Sequence, residues 1–597
     1  MKKLILLLLI ILLIVPSIYA KQGHLKLLAV KENDGGYEGA VADLYLEVKS
    51  GSGNVFLDTF PLTKIDTQIS TRFAKDMACS YLDKDCSNYD FIYTIKANSP
   101  IIAGPSAGAA ITLLTISLLD DFSLDESIGI TGTINSGWIV GPVGGVKEKI
   151  DAAKQAGLKK VLIPEGERFF NEEGSVIETF DVMFPNDSKV ENVSIITKTI
   201  DLVEYGKEKG LEVVEVSDID QALYGFTGKK FGNGNYTFDI DDDYEETMSE
   251  LAYQLCNRSD KLIRDIDYRY GSKQNETMIA ALNLTNRSKA AILNGSYYSA
   301  ASYCFGANVK FTYVLVSINN LSEKEMSDNI EIIGKNIDAL EKSIDNKKKE
   351  TITDLEAYAV VKERLIESEY YKELISTGNI TDDDIYNLAY SSERVYSAFS
   401  WANFFDHRGK KVNMDNDMLE LSCKAKIAEA EERYNYVSLF YPVLDLSGTR
   451  KEIDYAYDDM NNKSYELCLF KASQAKAESD VILSVSGIGS DNIIGLLDKK
   501  LEVAKKNVAK QIAKGNFPIL AYSYYEYGTE LREKDNYSAL LYAEYAIELS
   551  NLDMYFKPVH KVFYFEIDTN HVLLIVLGIL IGYMLSKIPR KKDKKKR

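Results

Sequence analysis

Hydrophobic periodicity changes character once along this chain, near residue 230, and that change limits the architecture to two kinds of layer. Before it, short β-like runs such as "AVADLYLEV", "FIYTIKAN", "IGITGTI", "WIVGPV" and "KKVLIP" alternate with helical stretches and are punctuated by Gly and Pro. Alternation of this kind predicts an α/β or α+β domain. After about residue 240, segments such as "DNIEIIGKNIDALEKSIDNKKK" place apolar residues three and four apart, and proline almost vanishes. An all-helical domain is expected over 240–560, with "TDDD" at 381–384 as a helix start. With 597 residues, 46% of them hydrophobic, the chain is long enough to bury two or more cores. Its formal net charge of −19 argues against nucleic acid as a partner, because phosphate binding needs a basic face.

The two ends predict a topology. Lys2 and Lys3 precede twelve apolar residues at 4–15, and Pro16 leads to a small residue, Ala20, so residues 1–20 read as a cleaved signal peptide. Near the other end, fourteen apolar residues at 572–585 lie between His571 and Lys587, and a basic run follows. This reads as one transmembrane helix over 570–588, with a basic cytoplasmic tail over 589–597. A single-pass protein of the cell membrane is expected, its ectodomain extracellular and its C-terminus cytoplasmic. Twelve Asn-x-Ser/Thr acceptors, from Asn186 to Asn536, fall between the two hydrophobic ends and suit a glycoprotein.

Cysteine usage agrees with export. The six cysteines contain no CxxC pair, which argues against a zinc ribbon, and no metal or other cofactor is expected. Cys256 and Cys304 lie 48 apart, Cys423 and Cys468 lie 45 apart, and the second of each set follows a Ser-Tyr. The match suggests a weak internal repeat, with bridges Cys256–Cys304 and Cys423–Cys468 between antiparallel helices and a local bridge Cys79–Cys86.

Chemistry concentrates in "GPSAGAAITLLTISLL" at 104–119. Ser106, between Gly104-Pro105 and Ala107-Gly108, reads either as an N-cap of the apolar helix or as a nucleophile at its positive end. The segment also satisfies G-x-S-x-G, whose triad needs a later histidine. The four histidines are His24, His407, His560 and His571; the last three lie beyond the α/β part, and His24 opens it. If Ser106 is catalytic, its base is a residue other than histidine, which leaves lysine or a carboxylate. The stretch "IGITGTINSGWIVGPVGGVKEKIDAAKQAGLKKVLIP" supplies lysines just after a Gly144-Gly145 turn, on a helix whose buried face is marked by Val146, Ile150 and Ala153.

Together these two segments resemble the proteolytic domain of Lon, the Ser-Lys peptidase family, over about residues 24–229. That family carries its nucleophile in G-P-S-A-G and its base in G-G-[LV]-K-E-K after a T-G-x-[IT] strand, and both occur here in that order. The resemblance implies that Ser106 is the nucleophile, that Lys147, the first lysine of "GGVKEK", is its general base, and that the Thr131 hydroxyl helps hold the lysine. Helical periodicity does not separate Lys147 from Lys149 well. Gly104, Pro105, Ala107 and Gly108 are carried over as supporting residues. The implied fold is α+β over 21–229, followed by the all-α helical domain and the C-terminal transmembrane helix. A homo-oligomeric ring, polypeptide substrates and a kinship with archaeal proteins are implied as well.

Two departures stand out. The family's Pro-Lys-Asp ahead of Gly-Pro-Ser is replaced by Ile101, Ile102 and Ala103, so the acidic neighbour of the serine is expected to be absent. No G-x-x-x-x-G-K-[ST] occurs, so no ATP partner is expected, and the helical region stands where a motor would, as a cap, gate or docking surface. The expected activity is ATP-independent, membrane-anchored endopeptidase hydrolysis of unfolded polypeptides. A non-catalytic surface scaffold with an inert Lon-like domain is the competing reading.

Overall fold

The computed structural model describes residues 20–33, 36–102, 104–171, 199–231, 242–266, 271–376, 378–406, 409–485, 493–556 and 569–586. Among the described residues eleven strands come first, in this order: β1 (Lys21–Asn33), β2 (Gly36–Ser50), β3 (Val55–Thr63), β4 (Tyr89–Ile102), β5 (Ile128–Ile130), β6 (Thr133–Ile134), β7 (Val140–Gly141), β8 (Lys160–Pro164), β9 (Phe169–Asn171), β10 (Thr199–Asp201) and β11 (Glu212–Val216). Five helices lie among them: α1 (Ile65–Tyr81), α2 (Gly108–Leu119), α3 (Val146–Gln155), α4 (Leu202–Glu208) and α5 (Ile219–Thr227).

Seven strands form one mixed sheet in the order β11-β8-β5-β1-β2-β4-β3, with β1–β2 and β2–β4 antiparallel and the other pairs parallel. The run "KKVLIP" shows why it is covered on both faces. Leu162 joins Met77 of α1, Ile111 of α2 and Leu223 of α5 on one side, while Val161 and Ile163 join Ile150 of α3 on the other. Helix α2 is buried nearly all round, which accounts for its unbroken apolar sequence.

Among the described residues twelve helices follow: α6 (Asp242–Asp265), α7 (Ser272–Leu293), α8 (Tyr297–Asn319), α9 (Glu323–Asp345), α10 (Ile352–Glu373), α11 (Asp382–Trp401), α12 (Asn416–Phe440), α13 (Ser447–Asn461), α14 (Tyr465–Val485), α15 (Ile493–Ala513), α16 (Ile519–Leu531) and α17 (Asn536–Leu549). The "TDDD" segment starts α11 as the sequence predicts. Thr381 caps the N–H of Asp384, whose carboxylate accepts from the Thr381 N–H and hydroxyl at 2.8 and 2.6 Å.

The three disulfides are Cys79–Cys86, Cys256–Cys304 and Cys423–Cys468. The helices joined by the two longer bridges are parallel, however, which corrects the antiparallel expectation. Along α6 and α8, Cys256 meets Cys304 and Ser259 meets Asn308; along α12 and α14, Glu420 meets Tyr465, Cys423 meets Cys468 and Arg433 meets Asp480. Partner numbers rise together because α7 and α13 carry the chain back, so the first and third helix of each trio run the same way.

The helical part packs with the sheet layers as one compact unit, and the helix α18 (Thr569–Ser586) belongs to a separate one. The expected transmembrane span is corrected: among the described residues no helix is long and apolar enough to cross a membrane. Helix α18 opens with the polar Thr569, Asn570 and His571. The apolar residues after them rise only about 21 Å, against a hydrocarbon core of about 30 Å. The segments read as signal peptide and basic tail lie outside the described residues, apart from Ala20.

Candidate active site

The loop that carries Ser106, the nucleophile expected from the sequence and hence called the nucleophile loop, is built where β4 ends. Gly104, at φ +96°, turns the chain in a way that only glycine adopts freely, and its N–H donates to Asp66 Oδ2 at 2.9 Å. Ser70 donates to the Pro105 carbonyl at 3.4 Å, so the first turns of α1 hold the loop from below. On the other side, the Gly132 N–H donates to the Ser106 carbonyl and the Ala109 N–H to the Gly132 carbonyl, both at 3.1 Å. This strap requires close approach: a Cβ on the buried Gly108 would lie 2.9 Å from the Ile134 nitrogen. Helix α2 takes Ala107 as its N-cap, with no side-chain cap bond. Ser106 is therefore not the cap, and its half-buried side chain stands beside the helix N-terminus.

Asp66 brings a carboxylate to this loop from outside the motif. Ala103 lies outside the described residues, but a carboxylate does reach the nucleophile loop, delivered from α1.

The second loop carries the lysines. Gly145, left-handed at φ +68°, is the N-cap of α3, and a Cβ there would sit 2.5 Å from Val30 Cγ1. Lys147 is half-buried, its Nζ 5.6 Å from the centroid of the Phe170 ring. Lys149 is 2% exposed. It completes the buried stripe Val146, Lys149, Ile150, Ala153, spaced three, four and seven, so the signal that separates the two lysines was present in the helical period.

Burial pushes the Lys149 ammonium down to about 7, with Glu167 and Glu148 acting in the opposite sense. Burial likewise pushes the Glu167 carboxyl up to about 7, opposed by Lys149 and by the Val143 N–H. No sequence pattern pointed to Glu167. Thr131 is fully buried beside the strap residue Gly132, and its hydroxyl finds no hydrogen-bond partner among the described residues. His24 lies elsewhere, its ring nitrogens 3.0 Å from Asp43 and from Glu126. Among the described residues no group of His, Cys, Asp or Glu could hold a metal ion.

Helix α12 completes the surroundings from the helical part. Arg433 donates to the Ile134 carbonyl at 3.3 Å and to Asn135 Oδ1 at 2.8 Å, and pairs with Asp480 at 3.0 Å. One turn later the Tyr436 hydroxyl accepts the Gly144 N–H at 3.1 Å. A Cβ on Gly104 would lie 4.0 Å from Tyr436 Cε2, so a single ring spans the openings of both loops.

Comparison with known proteins bears on this geometry. Residues 86–178 match the Lon protease (S16) C-terminal proteolytic domain, a stretch that contains Ser106, Thr131, Lys147, Lys149 and Glu167. The chain is 40% identical over 85 residues to the archaeal Lon protease of Archaeoglobus fulgidus, covering 14% of each chain. It is 33% identical over 154 residues to that of Thermoplasma acidophilum, covering 24% of this chain and 22% of the relative. With Lon protease 2 of Bacillus subtilis it shares 42% identity over 78 residues, 13% of this chain and 14% of the relative. The chain thus spans less than a quarter of these curated relatives. The likeness supports a Lon-type serine peptidase domain.

Proposed function

We propose that this chain is an ATP-independent serine endopeptidase in which Ser106 is the nucleophile and Lys149, two residues beyond the lysine expected from sequence, is the general base. The observation that carries this reading is the buried Lys149, its ammonium brought down to about 7, on the helix that opens across the Tyr436 ring from the nucleophile loop. A lysine at its reference value of about 10.4 is neutral in about one molecule in 2,500 at pH 7; at about 7 roughly half are neutral. Lys147 has no comparable enclosure.

Lys149 takes the Ser106 proton as the oxygen attacks the peptide carbonyl. The oxyanion forms at the N-terminus of α2, where the helix dipole favours negative charge. Lys149 then gives its proton to the leaving amine. Lys149, neutral again, then takes a proton from water as the water attacks the acyl carbonyl, and it returns that proton to the Ser106 oxygen as the acyl group leaves as a carboxylic acid. The buried Thr131 hydroxyl is the proposed partner that orients the lysine nitrogen.

Substrates are unfolded or flexible polypeptides, since no ATP-binding motif is present in the sequence to drive unfolding. A homo-oligomeric ring is the assembly proposed from the family likeness. Three disulfides support work in an oxidising compartment outside the cytosol.

The test is fluorophosphonate labelling and cleavage of unfolded casein by the full chain and by Ser106→Ala, Lys149→Met and Lys147→Met. Wild type and Lys147→Met should label and cleave; the other two should not. Equal cleavage by all four would reject the assignment, and an unreactive wild type would favour the scaffold reading.

A further inference from the structure

The structure assigns Tyr436, on helix α12 of the helical part, as a positioning residue that holds the lysine loop against the nucleophile loop, so that the peptidase centre is complete only with the helical part docked. This rests on the Ser106–Lys149 reading above.

The lysine loop has little of its own to fix it. Helix α3 is capped at its N-terminus by Gly145 with no side-chain cap bond, and Gly144 and Gly145 are successive glycines, which restrict the backbone least of all residues. Its N–H groups nevertheless need partners. The one at Gly144 is met by the Tyr436 hydroxyl at 3.1 Å. Lys149 lies four residues past Gly145, and its N–H makes the first helical bond, to the Gly145 carbonyl at 3.0 Å. A displacement of the Gly144–Gly145 turn is therefore transmitted directly to the helical turn that carries the amine.

The other edge of the ring lies beside Gly104, where the nucleophile loop begins. A tyrosine is rigid over this span, with two side-chain torsions, and it is 7% exposed. Its own backbone is placed independently. Arg433, one turn earlier, grips the Ile134 carbonyl and Asn135, next to the Thr131–Gly132 segment that straps Ser106. Helix α12 thus touches the nucleophile strap through Arg433 and the lysine loop through Tyr436. The region that matches the Lon proteolytic domain ends at residue 178, so the tyrosine side of this contact comes from the part of the chain beyond the match.

The experiment compares wild type, Tyr436→Phe and Tyr436→Ala in the full chain, by second-order fluorophosphonate labelling of Ser106 and by kcat and KM on an unstructured peptide. Tyr436→Phe keeps the ring and removes the acceptor for Gly144; kcat and labelling should each fall about tenfold with KM unchanged. Tyr436→Ala should fall further. Thermal unfolding of the Phe variant should match wild type, which separates positioning from loss of fold. Labelling at the wild-type rate, or faster, in Tyr436→Phe would overturn the assignment and make the tyrosine a bystander or an obstruction. A wild-type chain that does not label at all would instead overturn the dyad reading itself.

Discussion

The Gly104 N–H, two residues ahead of Ser106, donates to the Asp66 carboxylate at 2.9 Å, which joins the start of α1 to the nucleophile loop. A hydrogen bond to a charged acceptor contributes about 1.5 to 3 kcal/mol. Asp66→Ala is expected to slow labelling of Ser106 by roughly tenfold or more, and Asp66→Asn, which keeps an oxygen acceptor, by less. Equal rates for Asp66→Ala and wild type would show that the loop holds itself.

The pH dependence of acylation follows from Lys149. Its neutral form is the proposed base, and burial brings its ammonium down to about 7, so labelling should rise with pH through about 7 and then level off. Glu167, pushed up to about 7, loses its proton over the same range and its charge then favours the lysine ammonium, which broadens the rise. A rate still climbing beyond pH 9 would contradict the buried amine.

Arg433 is 2% exposed and pairs with the equally buried Asp480. Arg433→Met leaves Asp480 uncompensated and should cost about 3 to 5 kcal/mol. Urea unfolding midpoints report it. Arg433→Met with Asp480→Leu should recover part of the loss, because both charges are then gone.

Glu356 is 1% exposed and accepts the Leu520 N–H at 3.0 Å. Burial pushes its carboxyl up to about 8, above its unfolded value. The folded state therefore holds the proton more tightly: the stabilisation is fully present below about pH 4.5 and is lost as pH rises through about 8. Glu356→Gln should flatten this part of the stability profile, removing a slope of about 1.4 kcal/mol for each pH unit over which the folded state alone keeps the proton. Chemical denaturation of both proteins at pH 5, 7 and 8.5 checks it; parallel profiles would remove Glu356 as the cause.

Local pattern by itself determined a good deal. The change of period near residue 230 separated sheet from helices, Gly104 to Gly108 marked the nucleophile loop, "TDDD" marked a capped helix, and cysteine spacing matched the bridges present. Such features depend on neighbours within a turn or two, and a linear sequence contains those neighbours. The stripe Val146, Lys149, Ile150, Ala153 was legible too, but only once a charged residue was allowed on the buried side of a helix.

Only the tertiary structure decided the rest. It brought Asp66 to the Gly104 N–H, set bridged helices parallel, brought Glu167 to Lys149, and laid Tyr436 across two loops far from it in sequence. These are meetings between segments tens to hundreds of residues apart. Their selection depends on which surfaces exclude water together, and no single segment carries that information.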